Sequence, residues 1–232
     1  MSPRGLHIGL IGGIGPAATV AYYSRLSNAV RQRGGRLELT IVQAEVQDLV
    51  ANLNADRRTD QAQVYARLIE RLARAGADCA AITSLGGHFC FEETRALSAL
   101  PLVSALEPLD EAFAAQGIRR VGLLGTRVVM RTRLYGQLRR TEAVALDEEA
   151  DSLGQLYQDI AISGACSEEA RATFFEAGRR MVQERGAEAI VLAGTDLNLA
   201  FQGRVPGYPV IDALDIHVGV LADLATGRRD LS

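Results

Sequence analysis

Residues 8–13 read Ile-Gly-Leu-Ile-Gly-Gly and residues 121–126 read Val-Gly-Leu-Leu-Gly-Thr, so one aliphatic pattern that ends in small residues occurs twice, 113 residues apart. Two later pairs of segments repeat in the same order with nearly the same spacing, namely 76–84 with 186–194 and 101–106 with 209–214. The chain is therefore predicted to fold as two similar α/β units. We expect the units to be related by a pseudo-two-fold axis, with a cleft between them in which a ligand meets one group from each unit.

The apolar patterns predict strands that alternate with helices. Short aliphatic and β-branched runs predict strands over 6–12, 38–45, 78–83, 101–104, 119–125, 188–193 and 209–211. Helical periodicity predicts helices over 17–33, 59–75, 105–116, 131–139, 167–185 and 213–225. This alternation is typical of parallel sheets covered by helices, in which ligands bind at the carboxyl ends of the strands.

Three finer expectations concern particular elements. In the first helix, Val20, Tyr23 and Leu26 are expected to share the buried face. Ser167 is expected to cap the N-terminus of the helix that follows it. The domains are predicted as 1–107 and 108–212, with a C-terminal helix in 213–232 that crosses back onto the first unit.

The composition is that of an ordinary globular protein, since 48% of the 232 residues are hydrophobic and 23% are charged. A net charge of −3 offers no basic surface for nucleic acid. No apolar stretch approaches the roughly 20 residues that a membrane span needs. The first predicted strand begins within a few residues of the N-terminus, which leaves no room for a signal peptide. The default expectation is therefore a cytoplasmic location, with neither nucleic acid nor a membrane as a partner.

The chain has no lysine, because all 25 of its basic residues are arginine. Pyridoxal phosphate is normally held as a Schiff base to a lysine, so this cofactor is not expected. The three cysteines and three histidines show no metal-ligand spacing, and no metal site is expected. Cys79 and Cys90 lie in apolar runs and are expected in the core. Cys166 falls in a predicted loop or helix start and is kept open as a functional thiol.

Small-residue turns follow two strands of the first unit. Residues 12–16 read Gly-Gly-Ile-Gly-Pro and lie at the start of a predicted helix. Backbone N–H groups at such a position bind a phosphate or carboxylate, and Ile14 is then a ligand contact. The alternative is that these residues form a structural tight turn. In residues 83–88, Ser84 is a candidate for proton transfer, and Gly86 with its neighbour offers N–H groups to an oxyanion. Serine needs a neighbouring base, so His88 either supplies that help or has a structural role at the helix start.

The second unit has a matching turn. After Gly194, Thr195 is a candidate carboxylate ligand and Asp196 a candidate acid or base; the alternative is that both cap the following helix. Thr126, at the end of another strand, is a second candidate anion ligand.

Two adjacent arginines form a further candidate site. Arg57 and Arg58 are able to clamp a carboxylate, or are ordinary surface arginines.

Taken together, these motifs resemble the aspartate/glutamate racemase superfamily over nearly the whole chain. The resemblance is carried by residues 9–19 with the following Tyr22-Tyr23, by 121–126 and by 186–197. It implies two flavodoxin-like α/β domains, no cofactor, a small carboxylate or amino acid as ligand, and a homodimer. It also implies a reaction in which two cysteines, one per domain, flank the α-carbon: one thiolate removes the proton and the other thiol returns one.

The sequence departs from this pattern at both cysteines. Ser84 stands for the first, Leu85 and Gly86 stand for the Asn and Thr that bind the α-carboxylate, and Gly194 stands for the second. Since glycine transfers no proton, racemisation by two thiols is excluded. The glycine is also expected to enlarge the space beside position 194.

Four functions remain open at this stage. The leading hypothesis is a divergent, cofactor-independent enzyme acting at the α-carbon of a small carboxylate or amino acid, with Ser84 and Asp196 as its polar groups and Thr126 and Thr195 as anion ligands. The alternatives are an aspartate/glutamate racemase that uses groups other than cysteine, a decarboxylase, lyase or isomerase, and a non-catalytic protein that binds a small carboxylate.

Overall fold

The computed structural model describes residues 5–13 and 15–231. The chain divides into two compact units, one comprising the residues up to Ala105 together with those from His217 onward, and the other comprising Leu106–Ile216. We call them unit 1 and unit 2 and describe each by itself.

Unit 1 contains a four-stranded parallel sheet in the order β2-β1-β3-β4. Its strands are β1 (His7–Gly12), β2 (Glu38–Gln43), β3 (Cys79–Ile82) and β4 (Leu102–Val103). Its helices are α1 (Pro16–Gln32), α2 (Val46–Asn54), α3 (Arg58–Arg74) and α4 (Phe91–Leu97). Every residue of β1 and β3 is buried, as expected of central strands in a parallel sheet with both faces covered.

Unit 2 repeats this arrangement in a parallel sheet of order β6-β5-β7-β8. Its strands are β5 (Arg120–Gly125), β6 (Glu142–Val144), β7 (Ala189–Ala193) and β8 (Val210–Asp212). Its helices are α5 (Leu109–Ala115), α6 (Arg127–Arg131), α7 (Ala150–Ser163), α8 (Glu168–Arg185) and α9 (Asn198–Phe201). Two units with the same strand order confirm the predicted α/β fold with parallel sheets.

The last helix, α10 (Ala213–Ala225), begins in unit 2, and its residues from His217 onward belong to unit 1. There the Leu6 N–H donates to the Leu224 carbonyl at 3.2 Å, and Arg33 Nε lies 2.8 Å from Asp223 Oδ1. None of the helices within the described ranges combines the length and the apolar character that a bilayer crossing requires.

The buried face of α1 differs from the prediction. Ala18, Tyr22, Leu26 and Val30, spaced by four residues, are buried, whereas Val20 and Tyr23 are 65% and 55% exposed. The predicted set was therefore right for Leu26 and wrong for the other two. Tyr22 helps to fix the orientation of the helix, because its hydroxyl shares a 2.8 Å hydrogen bond with Nδ1 of His217.

The predicted helix over 131–139 is wrong, because α6 ends at Arg131. Arg133, Leu134 and Tyr135 have φ values of 50°, 57° and 58°, a left-handed conformation that a right-handed helix cannot continue. Arg133 is held there by Asp147, whose two carboxylate oxygens accept at 2.9 and 2.7 Å. The hydrogen bond from Arg133 lowers the pKa of Asp147.

The cap of α8 is confirmed. Ser167 Oγ accepts a hydrogen bond of 3.0 Å from the Ala170 N–H, which satisfies one of the donors left over at a helix start.

Candidate active site

The turn after β1 packs directly against the turn after β3. A Cβ on Gly13 would lie 2.5 Å from Cβ of Ser84, a distance that no real pair of side chains shows, so only glycine permits this approach. A Cβ on Gly12 would overlap the amide of Gln43, which donates to the Gly13 carbonyl at 3.0 Å. The two glycines thus have a close-packing role. Ile14, the third predicted contact in this turn, lies outside the described residues.

Ser84 is 2% exposed, and its hydroxyl stays within its own turn. Its Oγ accepts a hydrogen bond of 3.2 Å from the Gly87 N–H, one of the donors that the sequence offered to an oxyanion. Gly86 starts a short 3₁₀ helix that runs to Cys90, and Leu85, which stands for the family's asparagine, is a buried apolar side chain. In this arrangement Ser84 is a buried hydroxyl whose oxygen is already an acceptor.

His88 has a structural role rather than that of a base for Ser84. Its Nδ1 lies 2.8 Å from the Ser84 carbonyl and so carries the proton, while Nε2 accepts from the Ala105 N–H at 3.1 Å. Both ring nitrogens are therefore used. The ring stacks on Phe91 with 5.0 Å between the ring centroids, and burial lowers the pKa of His88 to about 4. The neutral ring ties the β3 turn to the segment after β4.

The two candidate arginines lie at the start of α3 and turn to different partners. Arg57 Nε donates to Asn52 Oδ1 at 2.9 Å, and Arg58 Nε donates to Asp56 Oδ1 at 2.9 Å. Each guanidinium side chain is half-exposed. In these two hydrogen bonds each arginine binds a residue of its own neighbourhood.

Thr126 caps a helix. Its Oγ1 accepts a hydrogen bond of 3.2 Å from the Val129 N–H at the start of α6, and the residue is buried. The hydroxyl proton of a threonine that accepts in this way is still available to donate.

The space beside Gly194 is filled by Tyr157 of α7, so the expectation of a larger space at this position is wrong. A Cβ on Gly194 would lie within 2.9 Å of three atoms of the Tyr157 ring, namely Cε2, Cζ and Cδ2. Gly194 has φ −133° and ψ 115°, an extended conformation open to every residue, so the ring and not the backbone excludes a side chain here.

The Tyr157 hydroxyl is joined to the two polar residues that follow Gly194. It donates to Asp196 Oδ2 at 3.2 Å, and Tyr157, Thr195 and Asp196 are each 1% exposed. Burial and the charge of Asp196 raise the pKa of Tyr157 well above its usual value of 10, although hydrogen bonds from the Asp196 backbone and the Thr195 side chain oppose them. The turn after β7 therefore presents a neutral phenol bonded to an aspartate.

The cysteines lie where the sequence suggested. Cys79 and Cys90 are buried, and burial raises the pKa of both thiols to about 12. Cys166 precedes the capping Ser167 and is partly exposed, and its pKa is also raised by burial. Over 5–13 and 15–231, no cluster of three or more His, Cys, Asp or Glu residues has a geometry that would hold a metal ion.

The family model of Asp/Glu/hydantoin racemases matches residues 11–221. The chain belongs to this family. It is similar to an aspartate racemase homologue from Pyrococcus horikoshii, with 26% identity, 94% of this chain and 98% of that chain covered, and a TM-score of 0.73. It shares its fold with an aspartate racemase of Picrophilus torridus (18% identity, 97% and 95% covered, TM-score 0.71). It also shares it with a Francisella tularensis glutamate racemase solved with D-glutamate (11%, 97% and 81%, TM-score 0.65).

Sequence reasoning missed Tyr157. The residue lies on α7, a helix that the periodicity did not predict, 37 positions before Gly194. The glycine itself was a usable signal, since an unusually small residue at a strand end in a packed protein leaves volume that another side chain fills. Nothing in the local sequence says which side chain that is.

Proposed function

We propose that this member of the racemase family is a cofactor-independent enzyme that moves a proton at the α-carbon of a small carboxylate or amino acid. Ser84 in unit 1 and Asp196 in unit 2 are the proposed polar groups. Thr126 and Thr195 are the proposed anion ligands, and Arg57 is the proposed partner of a second carboxylate.

The observation that supports the proposal most is the chemistry at the carboxyl ends of β3 and β7. These are the strand ends at which the family resemblance expects the reacting groups, and each carries buried polar side chains, Ser84 after β3 and Thr195 with Asp196 after β7. Burying hydroxyl and carboxylate groups is costly unless they are hydrogen-bonded, and both turns supply such bonds.

In this proposal the ligand's carboxylate is bound by groups other than those that the family resemblance implies. Leu85 and Gly86 have no side-chain donors for an α-carboxylate, so we propose that backbone N–H groups and the arginine at position 57 or 58 bind the ligand's charge. Arg58 is the less direct candidate because its Nε bonds to the exposed Asp56.

The test is exchange of the α-proton. The protein is incubated in D₂O with each enantiomer of aspartate and glutamate, while NMR follows loss of the α-proton signal and a chiral assay follows inversion. The proposal expects exchange with at least one of these probes, and loss of exchange in Ser84→Ala. Exchange that Ser84→Ala leaves at its wild-type rate would remove Ser84 from the mechanism.

A second candidate, a carboxylate-binding protein without chemistry, is favoured by one observation. The Ser84 Oγ accepts from a backbone N–H, and both nitrogens of His88 are engaged, so the hydrogen bonds described around Ser84 include no base. Such a binder would be stabilised thermally by a ligand that is recovered unchanged, by about 2.7 kcal/mol at a hundred times the dissociation constant. An enzyme would convert at least one ligand that stabilises it.

We also propose, from the resemblance to the family, that the protein is a homodimer, and, from its sequence, that it is cytoplasmic. Light scattering of the purified chain tests the oligomeric state directly, and a monomer at micromolar concentration would count against it.

A further inference from the structure

Gly194 and Tyr157 form a complementary pair. The ring lies where a side chain at position 194 would project, at the carboxyl end of β7, and the glycine makes room for it. The ring of Tyr157 thus occupies, in unit 2, the place where the family resemblance expects a thiol. It reaches this place from α7 instead of from β7, and its hydroxyl is the functional group that it carries.

The polar partner of this phenol is unusual for a structural tyrosine. Tyr208, also in unit 2, satisfies its hydroxyl by donating to the Phe175 carbonyl at 3.0 Å, a neutral acceptor that costs little to bury. Tyr157 instead donates to a carboxylate that is itself 1% exposed. Burying a carboxylate costs several kcal/mol before its partners compensate, and the Tyr157 hydroxyl is one of the partners of Asp196.

Thr195 completes the surroundings of the hydroxyl. The Thr195 side chain and the Asp196 backbone both act to lower the pKa of the phenol, while Asp196 Oδ2 accepts the phenol proton. The phenol proton thus already has an acceptor, which is required of a group that takes up one proton while it releases another.

We propose that Tyr157 is the residue of unit 2 that exchanges a proton with the α-carbon of the substrate, relaying it to Asp196. The inference rests on the proposed function. The α-proton passes to Tyr157 Oη as the phenol's own proton passes to Asp196 Oδ2. The electron pair of the broken C–H bond stays on the α-carbon, delocalised into the adjacent carboxylate. Asp196 changes from carboxylate to carboxylic acid, and the reverse steps return a proton.

This relay agrees with the electrostatics of the turn. Tyr157 is neutral before and after each transfer, so a phenol whose pKa lies well above 10 is no obstacle. The net base is the aspartate that the sequence identified as a candidate. The phenol extends its reach to the position beside Gly194.

The experiment compares variants that keep the packing. Tyr157→Phe retains the ring against Gly194 and removes only the hydroxyl, and Asp196→Asn retains the shape of the acceptor and removes its charge. Tyr208→Phe is the matched control, because it also removes one tyrosine hydroxyl bonded inside unit 2. Each protein is assayed for α-proton exchange in D₂O with both enantiomers of aspartate and of glutamate. Its unfolding temperature is measured with and without the same probes.

We expect Tyr157→Phe and Asp196→Asn each to reduce exchange about 100-fold or more. The double variant should lose no more than either single one, because residues that act as a unit are not additive. The stabilisation by bound probe should persist in Tyr157→Phe, since the relay affects the rate and not the binding. Tyr208→Phe should exchange at close to the wild-type rate.

Two results overturn the relay in different ways. Exchange by the wild-type protein that survives in a folded Tyr157→Phe variant refutes the relay and leaves the proposed function intact. If wild-type protein exchanges none of the four probes, the proposed function fails for them and the relay fails with it. Should Tyr157→Phe unfold well below Tyr208→Phe, the relay is judged on Asp196→Asn, which keeps the phenol ring: exchange that survives in this variant refutes the relay.

Discussion

Gly194→Ala adds a single methyl group at the point where Tyr157 packs against the end of β7. The new Cβ would lie within 2.9 Å of three ring atoms, and a buried ring has no room to move away freely. Because Gly194 is in the extended region, alanine introduces no backbone strain, and the whole cost comes from this overlap. Overpacking of this kind costs about 1–3 kcal/mol, so we expect the free energy of unfolding to fall by about 2 kcal/mol.

The assay is equilibrium unfolding in urea, with Gly219→Ala as the control. Gly219 lies inside α10, and among the described residues no atom beyond the adjoining turns of the helix lies within 4 Å of the place that its methyl group would take. Alanine there should therefore leave stability unchanged or raise it by up to about 1 kcal/mol. A double-mutant cycle is completed with Tyr157→Leu, which removes the ring, and with the double variant. In that background Gly194→Ala should cost close to nothing.

The interaction energy that this double-mutant cycle measures, about 2 kcal/mol, is the cost of the overlap between the new methyl group at position 194 and the Tyr157 ring. A Gly194→Ala variant as stable as the wild type would refute the packing described here. So would a cost that stays the same after Tyr157→Leu, because the overlap would then involve another group. Either result would also remove the geometric basis of the relay.

Three further outcomes follow from contacts elsewhere in the two units. Gly13→Ala should destabilise the protein by about 1–3 kcal/mol in urea unfolding and reduce α-proton exchange, because its Cβ would lie 2.5 Å from that of Ser84. His88 is neutral when folded with a pKa of about 4 and an ordinary value of 6.5, so its contribution is complete above about pH 6.5 and is lost as pH falls towards 4. Unfolding measured across that window should show a shallower decline in His88→Gln. Ser167→Ala should cost about 1 kcal/mol by calorimetry, since it removes the cap on the Ala170 N–H, and an unchanged midpoint would mean that the cap carries no stability.

The strands of the two sheets and the positions of the turns that follow them could be predicted because the same sequence pattern occurs in both units. After its first residue, each of the strands β1 and β5 consists only of apolar residues and glycine, which is the pattern of a strand buried on both faces. The glycine that ends each strand, Gly12 in β1 and Gly125 in β5, occupies the same place in both copies, and a Cβ at either position would overlap a neighbouring residue. Strand β6 escaped prediction because its three residues, Glu142–Val144, carry too little pattern to distinguish a strand from a loop.

The faces of helices were harder to predict than their extent. The limits of α1 agree with the sequence to within one residue, yet the structure buries Tyr22 where Tyr23 was expected. Two adjacent tyrosines fit a helical period almost equally well, and the choice depends on His217, which is almost 200 positions away and accepts or donates at the Tyr22 hydroxyl. Such a contact is tertiary information that the local sequence does not contain.

In the candidate site, likewise, the positions of the residues could be predicted from the sequence but their contacts could not. Ser84, Gly194 and Asp196 were identified from their positions at strand ends, where the fold alone places chemistry. What each residue does there depends on neighbours distant in sequence or in the turn itself: Ser84 accepts from Gly87, and Asp196 is bonded to Tyr157. A prediction from residue types alone gave His88 two roles, and its two hydrogen bonds decide for the structural one.

The most direct test of cofactor-independent chemistry without the family's thiols is α-proton exchange in D₂O by wild-type protein and by Cys166→Ala. Cys166 is the one partly exposed thiol among the three cysteines, so its removal takes away the accessible sulfur without disturbing the core. We predict exchange of at least one enantiomer of aspartate or glutamate, at the same rate in both proteins. Exchange that disappears in Cys166→Ala would show that a thiol performs the reaction, and would contradict the assignment to Ser84, Asp196 and Tyr157.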